Sequence, residues 1–449
     1  MHTKSMTEGN PLKLILLFSL PLMFGNVFQQ LYTVVDTIIV GQALGVDALA
    51  SLGAAEPINW MYLGTIQGLT QGFSIRMAQE FGAGDEHALR RTIGSSILLS
   101  ILLAIAMTFG FQAAAEPVLR LLDTPQSILP RTMLYLRIMF SGIPIIMAYN
   151  LMACMLRSVG DSRTPLYSMI VAACVNIALD LLFVCAFHWG IAGAAAATLI
   201  AQAVSVVYCF FVIRKISCLR PTRPDFAFDA KRSGRLMLLG LPMAFQNFII
   251  AIGSMFVQYL VNSYGVLFIA GFTATNKLYG ILEIAATSYG FAMVTYTGQN
   301  LGAGKTDRIR EGLRSALLIA FVTSVLIAVI LLVQGKNILL LFISGNEDEV
   351  SQTLQIAFHY LSIMSVCLPI LYLLHITRST LQGLGDTLFP MLSGIAEFLM
   401  RTGCVVFLPL LLGAEGIFYA EVLAWTGADL ILVPACFLRV RKLNFSRKR

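Results

Sequence analysis

The residues able to do chemistry in this chain are few, because most of it is apolar. Of 449 residues, 57% are hydrophobic and 12% are charged, about half the charge of an ordinary soluble domain. Within the long apolar runs stand Asp36, Glu56, Arg137, Asp180, Lys277, Glu283, Glu397, Arg401, Glu421 and Asp429, with His359 and His375. Asp36 follows Tyr32 by one helical turn. Asn176 and Asp180 are four apart and share a helix face, and Thr198 follows an alanine-rich stretch, Ala192–Ala197, that permits close helix approach. Ionisable groups inside a bilayer are costly, so each is a functional candidate. Two carboxyls in low dielectric cannot both ionise cheaply and tend to keep one proton, which a bound cation displaces. Asp36 and Asp180 therefore read as a site that exchanges H+ or Na+ for a positively charged solute. The plainer reading, that they brace helices, is weaker because a brace rarely needs two acids in one half of a chain.

The remaining polar residues support less specific expectations. Glu397 and Arg401 are also four apart and read as a structural or gating pair that could neutralise itself, with a direct ligand role in a cavity as the alternative. Lys277 and Glu283 are six apart, poorly placed for each other, so either could face a cavity. His375 lies on an apolar face and reads as a packing residue; Glu56, just before Pro57, is a further cavity candidate. The eight cysteines lie mostly inside apolar runs with no CxxC and no histidine at metal spacing, and read as small apolar residues. No catalytic residue, cofactor or metal is expected, beyond Na+ at Asp36 and Asp180.

A bilayer core of about 30 Å takes about 20 helical residues. Cutting the chain at charges and at Gly/Pro clusters predicts an all-α polytopic membrane protein with twelve spans: 13–40, 49–74, 92–112, 132–155, 166–187, 191–213, 236–262, 267–296, 315–334, 354–377, 389–412 and 417–438. The first apolar stretch is too long for the core of a cleaved signal peptide. Of the 31 Lys and Arg, 25 fall on the side of both termini and 3 on the other. That bias predicts cytoplasmic termini in the cell (plasma or inner) membrane, and makes the basic tail Arg439–Arg449 a topology and lipid-surface signal rather than a nucleic-acid site.

The chain also repeats itself. Ser19–Asn26 matches Gly240–Asn247, Phe81–Gly84 matches Leu301–Gly304, and Gly160-Asp161 with Pro165 matches Gly385-Asp386 with Pro390, at offsets of 221, 220 and 225. The reading is two six-helix bundles, 1–213 and 236–449 with its basic tail, joined by a basic cytoplasmic linker, 214–235. An even number of spans in each half makes the repeat parallel, with a pseudo-two-fold axis along the membrane normal. This is the architecture of an alternating-access secondary transporter. No phosphate-cradling loop or ATPase signature appears, so an ion gradient or the solute's own gradient must supply the energy.

The sequence resembles the multidrug and toxic compound extrusion (MATE) family over essentially its whole length. The resemblance rests on the Ser-Leu-Pro and Gly-Leu-Pro starts of the halves, the paired Gly-Ala-Gly loops, and Val159–Pro165 with its echo Leu384–Pro390. It implies export of organic, mostly cationic, amphipathic compounds driven by inward H+ or Na+ flow. The pattern Tyr32/Asp36 and Asn176/Asp180, with Thr198 following, is similar to the DinF-like branch. The NorM-like branch relies on acids in its seventh and tenth helices. Here span seven has none, and span ten has only His359 and His375. The expected partners are small organic cations, drugs and the lipid bilayer, with the protein acting as a monomer. An alternative is a lipid-linked precursor flippase of the same superfamily; a receptor or structural membrane protein would not need two acids in one repeat half.

Overall fold

The computed structural model describes residues 4–343 and 346–443, and among them there is no strand. The helices are α1 (Pro11–Leu44), α2 (Val46–Gly82), α3 (Glu86–Leu121), α4 (Leu129–Ser141), α5 (Ile143–Ser158), α6 (Arg163–Asp180), α7 (Ile191–Ile213), α8 (Ala230–Val261), α9 (Val266–Gly302), α10 (Thr306–Leu339), α11 (Glu347–Val366), α12 (Leu368–Gly383), α13 (Leu388–Phe407), a short α14 (Pro409–Leu412) and α15 (Ala420–Lys442). By length and apolarity eight stretches can cross a bilayer, ten when each bent pair is one span. One of the eight, Leu388–Lys442, contains both α13 and α15. α2 is long enough at 37 residues but carries Asp47, Glu56, Arg76 and Glu80. With these, the twelve spans of the sequence reading are all accounted for.

Two spans differ from expectation. Each was read as one helix, and each is broken: α4 and α5 meet at 49°, α11 and α12 at 48°. Both breaks fall just before a proline, Pro144 and Pro369, whose ring lacks an N–H and clashes with the preceding turn. The paired kinks are also the repeat made visible, as are glycines at positive φ in matching places. Gly84 (72°) pairs with Gly304 (67°), and Gly160 (85°) with Gly385 (84°). Each of the four closes a turn in which an L side chain would be strained.

The described residues within Met1–Ser5 and Leu20–Ala244 form one compact unit, and those within Met6–Ser19 and Phe245–Arg449 the other. The units part from the sequence halves at the first helix of each half. Buried Met6 is held in the second unit, its N–H donating to Gln299 Oε1 at 2.8 Å and its carbonyl accepting from Asn300 Nδ2 at 3.1 Å. The start of α8 belongs to the first unit, where Gly240 packs on Leu69 and Phe73 of α2. The basic tail beyond Leu443, residues 444–449, lies outside the described residues.

Capping sets the helices that matter for the site. Asn10 Oδ1 accepts the Leu12 N–H at 2.9 Å and starts α1. Asp161 Oδ1 accepts the N–H groups of Arg163 and Thr164, both at 3.0 Å, and its Oδ2 accepts the Thr164 hydroxyl at 2.6 Å. Asp161, one residue before the N-cap Ser162, thus satisfies the first two N–H groups of α6. In lipid, close packing rather than hydrophobic drive holds helices together. On α7, Gly193 lies so near Phe183 that a Cβ there would come within 3.1 Å of it.

Candidate cation-coupling site

Within the first unit five helices bring polar side chains to one place. α1 supplies Tyr32 and Asp36, α2 supplies Asn59 and Tyr62, α4 supplies Tyr135, α6 supplies Asn176 and Asp180, and α7 supplies Gln202. Asp36 and Asp180 are neighbours, their carboxyls near enough for each to act on the other's charge. Tyr32 lies beside Gln202, and Tyr135 beside Asn59. Asp180 is 0% exposed and Asn176 1%, so neither can be satisfied by bulk water.

The satisfaction count is unusual. Both oxygens of Asp180, Oδ1 of Asp36, both side-chain polar atoms of Asn176, Oε1 of Gln202, Oδ1 of Asn59 and the Tyr62 hydroxyl are all buried without a hydrogen-bond partner. A group of buried orphan atoms of this size demands an explanation. Two ionised carboxylates can only accept, so they cannot satisfy each other. A proton makes one of them a donor, and a cation satisfies both. The donor set is almost entirely hard oxygen, which suits a proton or Na+ better than a soft metal.

Directly after Asp180 the helix widens into a π turn, Leu181–Ala186. Such turns are rare and occur most often at functional sites. This one closes with the Phe187 N–H donating to the Leu182 carbonyl at 2.8 Å, and Phe183 stacks on Trp189 with ring centroids 4.7 Å apart. Thr198 shares the face of Gln202 on α7, and its hydroxyl donates to the Ala194 carbonyl at 3.1 Å. Sequence reading missed Asn59, Tyr62, Tyr135 and Gln202. All four are neutral residues in apolar runs, and only the i, i+4 relation of Thr198 to Gln202 could have signalled one of them.

The second unit corrects one expectation. Glu397 and Arg401 do not neutralise each other. Glu397 pairs with Arg378 of α12, which also donates to Ser393 Oγ at 3.0 Å, and Arg401 pairs with Glu421 of α15 at 2.7 Å. The cause is Arg378: sequence reading placed it in a loop, whereas it is a buried residue inside α12. His375 keeps the place of a packing residue satisfied by its own helix. Its Nδ1 lies 3.0 Å from the Leu371 carbonyl and its Nε2 3.6 Å from Glu283 Oε1. Lys277 and Glu56 are exposed, and His359 lies 3.6 Å from Glu415. Asp429, in the ionisable set but given no role, is 8% exposed with both carboxyl oxygens unpartnered.

Comparison with known proteins decides the family. The family model described as MatE matches residues 21–182 and again 242–404, once in each half at the offset of the internal repeat. The chain belongs to the MATE family. It is 32% identical over 351 residues to the probable multidrug resistance protein YpnP of Bacillus subtilis (strain 168), covering 77% of each chain. It is 25% identical over 360 residues to DNA damage-inducible protein F of Escherichia coli (strain K12), covering 78% of this chain and 76% of that one. Among solved structures, a MOP superfamily transporter from Pyrococcus furiosus superposes with a TM-score of 0.91 at 22% identity over 98% of both chains. Like other MATE proteins the chain is a multi-pass membrane transporter, not an enzyme, and needs no cofactor.

Proposed function

We propose that this MATE protein is an antiporter that exports amphipathic organic cations by alternating access, coupled to inward H+ or Na+ through Asp36 and Asp180. The observation that carries this reading is the pair of neighbouring acids on α1 and α6, Asp180 fully buried and Asp36 half-buried, set among orphaned amide and hydroxyl groups. The coupling ion is a transported substrate here. Asp36 and Asp180 would hold it, with Asn176 and Gln202 supplying neutral oxygens and Tyr32 lying against the pair. An organic cation arriving in the same unit would compete for the same negative charge, and its binding would expel the ion. That competition is the minimum chemistry of antiport, because the two charges are never held together.

Curated relatives named as multidrug resistance and multidrug export proteins support the choice of substrate class. The Lys and Arg bias of the loops supports cytoplasmic termini in the plasma membrane. The protein would work as a monomer in two six-helix halves, 1–213 and 236–449, joined by the linker 214–235.

Purified protein in liposomes, loaded with ethidium and subjected to a pH gradient and a Na+ gradient in turn, tests the reading. Efflux driven by one of them is expected. Absence of ethidium transport under both would refute it, and transport of a lipid-linked precursor instead would establish the flippase alternative.

A further inference from the structure

A second site lies on the flank of the first unit, independent of the acids above. Between α3, α5 and α7 runs a cavity of about 540 Å3. Its walls are apolar: Ile101 and Ala104 from α3, Met147, Met152 and Met155 from α5, and Ile213 from α7. Along α5 it extends from Pro144 to Met155, about 16 Å at 1.5 Å per residue. Ile101, Ile105 and Phe210 are exposed at its rim. These helix flanks lie in the membrane-spanning part of the unit, so the groove opens sideways towards hydrocarbon.

One end is different. There Arg214, which ends α7, and Arg220, in the linker, close the groove beside Leu219 and Pro221. Arg214 sits over the Phe210 ring at 5.8 Å. Among the described residues neither guanidinium has a carboxylate partner. The acids of this corner are engaged elsewhere: Asp225 with Thr222 at 2.7 Å, Asp229 with Arg232 at 3.7 Å, and Glu86 with Arg90 at 3.4 Å. Ser100 in the wall has a buried hydroxyl with no partner.

We propose that this groove is a binding site for an anionic phospholipid, with an acyl chain along the methionine wall of α5 and the phosphate on Arg214 and Arg220. Three features select that occupant. A groove open to hydrocarbon takes an acyl chain, and the unbranched, polarisable methionines adapt to one. Two unpaired arginines at the end of the spanning helices stand where lipid phosphates lie, and basic pockets between spanning helices bind anionic head groups. A zwitterionic head group would bring its ammonium against them, and an organic cation, the class proposed for export, would be repelled by them.

Native mass spectrometry of the full-length protein in detergent, titrated with dioleoyl phosphatidylglycerol or dioleoyl phosphatidylcholine, tests the site. The wild type is expected to retain phosphatidylglycerol in preference to phosphatidylcholine. Arg214→Gln with Arg220→Gln should weaken phosphatidylglycerol by roughly thirtyfold, about fivefold per arginine, and leave phosphatidylcholine unchanged. Ala148→Trp, which fills the apolar part, should weaken both lipids. Equal retention of the two lipids by the wild type would overturn the proposal. So would full retention of phosphatidylglycerol by the arginine double variant, or its displacement by inorganic phosphate, which would mean that the arginines hold a free anion.

Discussion

Arg401 Nη2 lies 2.7 Å from Glu421 Oε2, and Arg401 occupies in the second unit the repeat position that Asn176 holds in the first. The register is fixed locally. Ser168 donates to the Pro165 carbonyl at 2.8 Å and Ser393 to the Pro390 carbonyl at 2.7 Å, an equivalence of 225 residues. At that offset Ala172 corresponds to Glu397 and Asn176 to Arg401. The second unit therefore holds a permanent cation bonded to an acid where the first holds a neutral amide next to an acid with no partner. A guanidinium stays protonated, so it cannot release a proton in a transport cycle. This asymmetry is the physical argument for coupling through the first unit.

It follows that Asp180→Asn should lower ion-driven efflux to background, whereas Glu283→Gln should lower it less. Glu283 faces His375 at 3.6 Å, but its unit has fixed cations to share the charge. Efflux rates from vesicles carrying each variant at equal protein levels check the order, and a reversal would place the coupling in the other unit.

The buried pair Arg378–Glu397 gives a stability prediction. Glu397→Gln leaves the Arg378 guanidinium without its carboxylate partner in a site that is 9% exposed, and should cost about 3–5 kcal/mol. Replacing both residues together, Arg378→Met with Glu397→Leu, should recover most of that loss. Thermal melting in detergent distinguishes the cases. Equal losses in the single and double variants would mean that the pair does not act as a unit.

The linker carries a pH-dependent contact. Burial alone would raise the Asp225 carboxyl, but the N–H and hydroxyl of Thr222 both donate to Oδ2 at 2.7 Å, and the carboxyl stays below its usual range. A depressed value means that the contact stabilises above the ordinary carboxylate range, near about pH 4, and is lost as pH falls through the lower folded value. Protease cleavage of the linker should rise below that range in the wild type. In Asp225→Asn it should already be raised at neutral pH, by a cap loss of about 1 kcal/mol.

The loop charges give a prediction about orientation. Single cysteines placed in the linker and after Leu443 should be protected in intact cells from an impermeant maleimide and labelled after lysis. Labelling of either in intact cells would overturn the cytoplasmic placement of both termini.

Much of this was legible in the sequence, for identifiable reasons. The spans show because bilayer thickness demands a fixed length of apolar helix, and the repeat because turn glycines and helix caps tolerate little substitution. Asp36, Asn176 and Asp180 stand out because charge in an apolar run is rare and four-residue spacing gives a shared face. The partners did not show. Arg378 sits one residue beyond the boundary drawn for its span, so Glu397 was matched to Arg401, its neighbour on the helix. Partnership between α12, α13 and α15 depends on helix rotation, which spacing within one helix does not encode. The π turn after Asp180 was invisible for a similar reason: Leu181–Ala186 has ordinary apolar composition, and nothing in its spacing marks a widened turn.

The central claim is that one ion held by Asp36 and Asp180 is expelled when an organic cation binds. The most direct measurement adds tetraphenylphosphonium to the purified protein in weakly buffered detergent, with a pH indicator and, in a parallel sample, with radiolabelled Na+. Binding should release H+ or Na+ in the wild type, and the release should vanish when Asp36→Asn and Asp180→Asn are combined. Binding with neither ion released, or release unchanged in the double variant, would contradict the account.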